Sequence, residues 1–211
     1  ELVKLFAQPY GYASDNSHPG VPLRTTFNFN PVSRSSVGEV YTQVIADLET
    51  AAAELPEDNG NYANRDAARG YLAKVYFQMN DFENAYSFAN EVIQTQQYPL
   101  DTNLNGRFAR DLTSESVFHL VSSERDNSGG NLWGSYRVDP NAELAPLSLS
   151  PEMAGQLFIG DDKRGEKWVL QSGDFFWCTK IEDTTGVNYT QVPLVHLTEL
   201  LLIRAESAAE N

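Results

Sequence analysis

The sequence predicts a mainly α fold: a superhelix of stacked helical hairpins, broken by long irregular loop insertions and carrying little β structure. Three observations lead there. Apolar residues recur at helical spacing over residues 37–55, 64–94 and 193–209. Within the middle stretch only Asn80-Asp81 separates two helical patterns, so those helices must pack antiparallel. The long stretch 122–192 carries glycines and aromatics with no sustained period. The bulk numbers allow such a core: 211 residues, 41% hydrophobic and 21% charged, which is ordinary globular composition. One domain over 1–211 is expected, with both ends of the full protein missing.

Glu1 to Ala7 read as a short helical end, and Pro9, Gly11, Pro19, Gly20 and Pro22 then punctuate a loop in which Tyr10 and Tyr12 would tether chain to core. A helix follows from Val37. Ser36 with Glu39 makes a capping box, and Val40, Tyr41, Val44, Ile45, Leu48, Ala51, Ala52 and Leu55 form its apolar face before Pro56 stops it. From Asn64 to Met79 and from Phe82 to Gln94 two more stripes flank the tight turn. Leu72, Ala73, Tyr76 and Ala85 fall where a tetratricopeptide repeat, of period about 34 residues, places a large, a small, an aromatic and a small residue. Ala73 and Ala85 would let the backbones approach, and Tyr76 would fill space between repeats. Val92 stands at a usual small position, so the repeat is degenerate.

Beyond Tyr98-Pro99-Leu100 the pattern changes. Val117 to Val121 is β-prone. Gly129, Gly130 and Gly134 mark a loop holding Trp133 and Tyr136, and Ser150-Pro151-Glu152 is a helix start with proline at the first helical position. Phe158 to Val192 reads as mixed loop rich in aromatics. Pro193 to Ala209 reads as a helix, the first of another hairpin whose second helix would follow Asn211. That bare apolar face, and the helix-interior character of Leu2 to Phe6, lead us to expect a piece of a longer protein.

A formal net charge of −14 disfavours nucleic acid and anionic headgroups, both of which it would repel, and leaves a neutral sugar unopposed. The single cysteine, Cys178, permits no internal disulfide. No apolar run is long enough to span a bilayer as a helix.

Several ordered segments resemble the SusD/RagB family. Gly20-Val21-Pro22-Leu23 resembles the segment before the family's central helix, and VGEVYTQVIADLETAAAELP from Val37 to Pro56 matches that helix closely. Arg65 to Ile93 resembles the repeat that follows. Tyr98-Pro99-Leu100, Glu115-x-Val117-Phe118, Asp162-Lys163-Arg164, Lys180 and the closing Pro193 to Ala205 with Glu206 resemble later steps. His196 departs from the pattern, where the family usually carries arginine. The resemblance implies a helical-repeat scaffold with ligand-presenting insertions at about 122–192. It implies a lipid anchor outside this chain on the extracellular face of the outer membrane. It also implies two partners, a glycan ligand and a SusC-like TonB-dependent transporter.

A sugar offers a face of C–H groups and a rim of hydroxyls, so a protein holds it with a flat aromatic ring and planar hydrogen-bonding groups. The best such set is Asn131, Trp133, Tyr136 and Arg137, where glycines give Trp133 little local reason to be buried. Trp168 and Trp177 come next. Phe175-Phe176-Trp177 cannot all face one way in extended chain, so at least one of them belongs to the core. Tyr10 and Tyr12 are weaker candidates.

Asp161, Asp162 and Glu166 lie among Lys163, Arg164 and Lys167, which would keep the acids ionised, so no catalytic residue is assigned. Asp101-x-Asn103-x-Asn105-Gly106 opens like a calcium loop but has Leu112 where glutamate belongs. His18, His119 and His196 lack ligand spacing, and His119 reads as a satisfied core residue. No metal and no cofactor are expected. The alternative to glycan binding is a tetratricopeptide-like scaffold that binds a peptide or protein.

Overall fold

Ser36 does what its spacing to Glu39 predicts. Its Oγ accepts from Glu39 N at 3.2 Å, and the Glu39 carboxylate accepts from Ser36 N at 2.8 Å. The loop before it satisfies the remaining free donors: Val37 N donates to His18 O and Gly38 N to Asn16 O, each at 3.0 Å. In the computed structural model of the protein, residues 2–101, 113–126, 148–157, 160–172, 175–178 and 191–211 are described. In chain order their elements are α1 (Leu2–Phe6), α2 (Val37–Glu54), α3 (Arg65–Gln78), α4 (Phe82–Gln94), β1 (Ser116–Leu120), α5 (Pro151–Leu157), α6 (Lys163–Trp168), β2 (Val169–Ser172), β3 (Phe175–Cys178), β4 (Val192–His196) and α7 (Leu197–Glu210). The fold is mainly α with little strand. The chain divides into two compact units, Glu1–Gln97 with Leu197–Asn211, and Tyr98–His196.

The first unit is the helical frame. α3 packs against α2, α4 and α7, and α4 lies between α3 and α7. Asn64 caps α3 by accepting from Ala67 N at 2.9 Å, and Asp81 caps α4 by accepting from Asn84 N at 3.2 Å. Asn80 takes the left-handed conformation, φ 59°, that so short a turn demands. Leu72, Ala73, Ala85, Ala89 and Val92 are fully buried, so small side chains do set the closeness of α3 and α4. Tyr76 stacks on Phe88 with ring centroids 5.6 Å apart, and its hydroxyl donates to Glu49 of α2 at 3.4 Å. Burial, then the nearby Glu49 carboxylate, raises its pKa. Tyr10 packs on Tyr41 of α2 at 4.9 Å, the tethering role expected of it.

In α7 the Ser207 side chain is fully buried, and its Oγ has no hydrogen-bond partner. An unpaired buried hydroxyl costs more than a methyl of similar size. Ser207→Ala is therefore expected to raise stability by about 1 kcal/mol, read as a later midpoint in urea unfolding.

The helix expected over 193–209 is shorter than its pattern. Residues 192–196 form β4 instead, paired antiparallel with β1 through Phe118↔Val195, His119↔Pro193 and Leu120↔Val192. Pro193 lacks an N–H, and Val192 and Val195 are β-branched, so the backbone prefers extended conformation until Leu197. Gln191 prolongs the ladder with its side chain: Ser122 N donates to its Oε1 at 2.8 Å, and its Nε2 donates to Ser122 O at 3.2 Å. The β-prone run 117–121, open to reading as a short strand or a buried extended segment, is largely strand, with β1 starting one residue earlier.

The stretch read as mixed loop over 158–192 also holds regular structure. α6 leads directly into a hairpin in which β2 and β3 pair from Val169↔Cys178 to Ser172↔Phe175. α5 starts as proline at its first position requires, with Ser150 Oγ accepting from Met153 N at 3.2 Å.

Candidate functional site

In the second unit the described aromatic candidates, Trp168 and Trp177, lie on the α6–β2–β3 segment. Asp162 starts it. Its carboxylate accepts from Arg164 N at 2.9 Å and from Arg164 Nε and Nη2 at 3.0 and 2.6 Å. The Arg164 side chain, and then its backbone N–H, hold the Asp162 carboxyl down at about 2. Asp162 is thus an ionised cap and not a proton donor near neutral pH. That clamp fixes the first turn of α6, whose last residue is Trp168, half-buried, one position before β2. Gln171 and the half-buried Phe176 are cross-strand partners and so share a face. The other edge of β3 is held by Leu149, whose N–H donates to Phe176 O at 2.7 Å.

Trp177 corrects one expectation. It is only 4% exposed. A ring closed to solvent offers no face to a sugar, so Trp177 is a core residue of the aromatic run and not a platform. Trp168 keeps partial exposure. Asn131, Trp133, Tyr136 and Arg137 lie outside the described residues, as do Lys180, Asn103, Asn105 and Gly106. Asp101 is described: its N–H donates to Glu115 Oε1 at 2.8 Å.

That contact belongs to a network the sequence reading missed. Glu115 is 1% exposed and its Oε2 lies 3.0 Å from His196 Nδ1, while Thr113 Oγ1 lies 3.4 Å from His196 Nε2. At the position where arginine is the resembled pattern, His196 keeps a carboxylate partner. The pair ties the segment before β1 to the end of β4. The signal available was an acid immediately before a β-prone segment, which alone does not specify a buried partner. His119 also departs from expectation. Ser116 Oγ lies 3.4 Å from its Nδ1, but its buried Nε2 has no partner, and burial lowers its pKa.

The helical unit carries an open groove of about 330 Å³, lined by Val40, Val44, Leu48, Tyr71 and Val75, with Lys74 at its side. Among the described residues no helix is long and apolar enough to cross a membrane, and no group of three or more His, Cys, Asp or Glu could hold a metal ion.

A frame of antiparallel helices, with a mixed α/β unit falling in sequence between its last two helices, defines a helical-repeat class of fold. The comparisons show which known proteins this arrangement resembles. Residues 1–77 match the family model SusD-like, described as starch-binding associating with outer membrane. A SusD superfamily protein from Bacteroides thetaiotaomicron VPI-5482 superposes with TM-score 0.87 at 24% identity, covering 99% of this chain and 51% of that one. Another from Bacteroides vulgatus ATCC 8482 gives 0.78 at 25%, covering 94% and 49%. A laminarin-binding SusD-like protein gives 0.74 at 21%, covering 89% and 54%. The comparison with curated proteins gives no match. The fold is similar to that of SusD superfamily structures along nearly the whole chain, and the first 77 residues match the SusD-like family model. It spans about half the length of the solved structures it matches.

Proposed function

We propose that this chain is part of a cell-surface protein that binds an oligo- or polysaccharide and delivers it to a SusC-like TonB-dependent transporter, without chemical change to the glycan. The observation that carries this reading is the fold, which is that of the SusD superfamily on both the helical frame and the inserted unit. Support comes from the family's description as starch-binding and from a fold neighbour that binds laminarin. In this reading the protein is lipid-anchored at the extracellular face of the outer membrane.

The proposed ligand contacts are Trp133, Tyr136, Asn131 and Arg137, with Trp168 as a second platform. A ring stacked on a sugar face contributes roughly 1–3 kcal/mol, by analogy with bases stacked on aromatics. Two platforms then give millimolar to micromolar affinity, suited to capture and release. Trp133→Ala is expected to weaken binding to a neutral oligosaccharide about tenfold, measured by calorimetry, with no reducing ends released by either form. An unchanged affinity would remove Trp133 from the site.

The groove on the helical unit favours a second reading, a scaffold that takes an apolar peptide between Val44 and Tyr71. Peptide binding with no glycan affinity would select it.

A further inference from the structure

The β2–β3 hairpin has two sides of different character. Residues paired across its ladder lie on the same side, and neighbours along a strand lie on opposite sides. Trp177 pairs with Leu170, and Phe176 pairs with Gln171. Trp177 is only 4% exposed, so its side is the covered one, open toward Leu170 at 39%. Val169, Gln171 and Phe176 fall on the other side. There Gln171 is exposed, while Val169 and Phe176 are half-buried.

That second side sets an aromatic ring beside a planar amide. Directly opposed residues hold their Cβ atoms roughly 5 Å apart, close enough for both to meet one small ring. The phenyl face suits the C–H face of a sugar, and the amide both donates to and accepts from its hydroxyl rim. Val169, Gln171 and Phe176 are all uncharged, within a chain of net charge −14. The charges of this segment stand on α6 and are paired there, Arg164 with Asp162 at 2.6 Å and Lys163 with Glu166 at 3.4 Å.

The backbone beneath is fixed before any ligand arrives. β3 is held along one edge by β2 and at the other by Leu149, whose N–H donates to Phe176 O. A surface built in advance loses little conformational freedom on binding. Trp168 lies three residues before Gln171, a step of roughly 10 Å along extended chain, about the length of two sugar rings.

We propose that Phe176 and Gln171 form a saccharide subsite beside Trp168 that takes an uncharged sugar ring of a linear chain. The subsite rests on the glycan reading above, and adds which side of the hairpin is used and which sugars it admits. A uronate or a sulfated ring meets no cation on this side, and the charge of the chain as a whole repels it.

The test runs the full-length protein through gels cast with neutral polysaccharides, soluble starch and laminarin among them, and through one cast with polygalacturonate. Phe176→Leu keeps apolar bulk for packing and removes the flat ring. In the neutral gel that slows the unaltered protein, it is expected to weaken retention roughly tenfold with Tm unchanged. Gln171→Ala is expected to weaken retention severalfold, and Phe176→Trp, which restores a ring, to keep it. Migration through polygalacturonate is expected to be free. Unchanged retention of Phe176→Leu or of Gln171→Ala overturns the subsite and leaves the glycan reading standing. Loss of retention in Phe176→Trp equal to that in Phe176→Leu overturns it as well, since the ring would then serve packing alone. Should Phe176→Leu lower Tm, Gln171→Ala at its exposed position decides. Stronger slowing in polygalacturonate than in any neutral gel overturns the uncharged class of ligand. Free migration of the unaltered protein through every gel sinks the glycan reading and the subsite with it.

Discussion

Replacing Glu115 with leucine is expected to destabilise the second unit by about 3 kcal/mol, the scale of leaving two poorly hydrated polar groups without their acceptor. The loss has two parts. Asp101 N and His196 Nδ1 both lose the carboxylate oxygens that sit 2.8 and 3.0 Å from them. Both groups then remain at a site where Glu115 itself is 1% exposed, so little water reaches them in exchange. All three tryptophans, Trp133, Trp168 and Trp177, belong to Tyr98–His196, so tryptophan fluorescence during urea unfolding reports on this unit. Glu115→Gln, which keeps an acceptor for Asp101 N, is expected to cost only about 1 kcal/mol. Equal, small effects of leucine and glutamine would show that the network is not holding β1 and β4 in place.

Leu72→Ala is expected to cost the helical unit about 3 kcal/mol, within the 2–5 kcal/mol range for truncating a buried leucine. Leu72 is fully buried on α3, which touches α2, α4 and α7, so the cavity would open where these helices meet and could not collapse cheaply. Circular dichroism at the helix band is the appropriate signal. Leu202→Ala serves as the control, because Leu202 on α7 is 65% exposed and its truncation removes little packing. A Leu72 variant no less stable than the Leu202 variant would contradict the packing described for α3.

The helical frame was legible because its signals are local and redundant. Ser36 with Glu39, Asn64 and Asp81 mark helix starts by side chains that bond a backbone N–H within three residues. Ala73 and Ala85 mark a helix contact because only small side chains let two backbones come so close. Where Leu72, Tyr76 and Val92 sit follows from the same periodicity. The errors fall where a distant partner decides. Val192 to His196 carries a helix-like apolar spacing, but β1, some seventy residues earlier, offers a ladder that the β-branched residues and Pro193 accept. The β2–β3 hairpin escaped notice because each strand is four residues, too short to display alternation clearly.

At the candidate site the legible part was chemical. Three consecutive aromatics in extended chain implied that one must be buried, and Trp177 is. That Trp177 would be buried depends on where Leu149 and α5 pack against β3, and no local pattern encodes that. The Glu115–His196 pair was hidden for a similar reason. Eighty residues separate its members, and each alone has an ordinary surface reading.

The central claim is that the inserted aromatic unit, and not the helical frame, holds a saccharide. Affinity electrophoresis through gels cast with a panel of neutral polysaccharides tests it most directly. The expected result is slowed migration in at least one gel, relieved by Trp133→Ala and unaffected by Tyr71→Ala in the groove of the helical unit. Free migration through every gel, or slowing that Tyr71→Ala abolishes and Trp133→Ala leaves intact, would contradict the account.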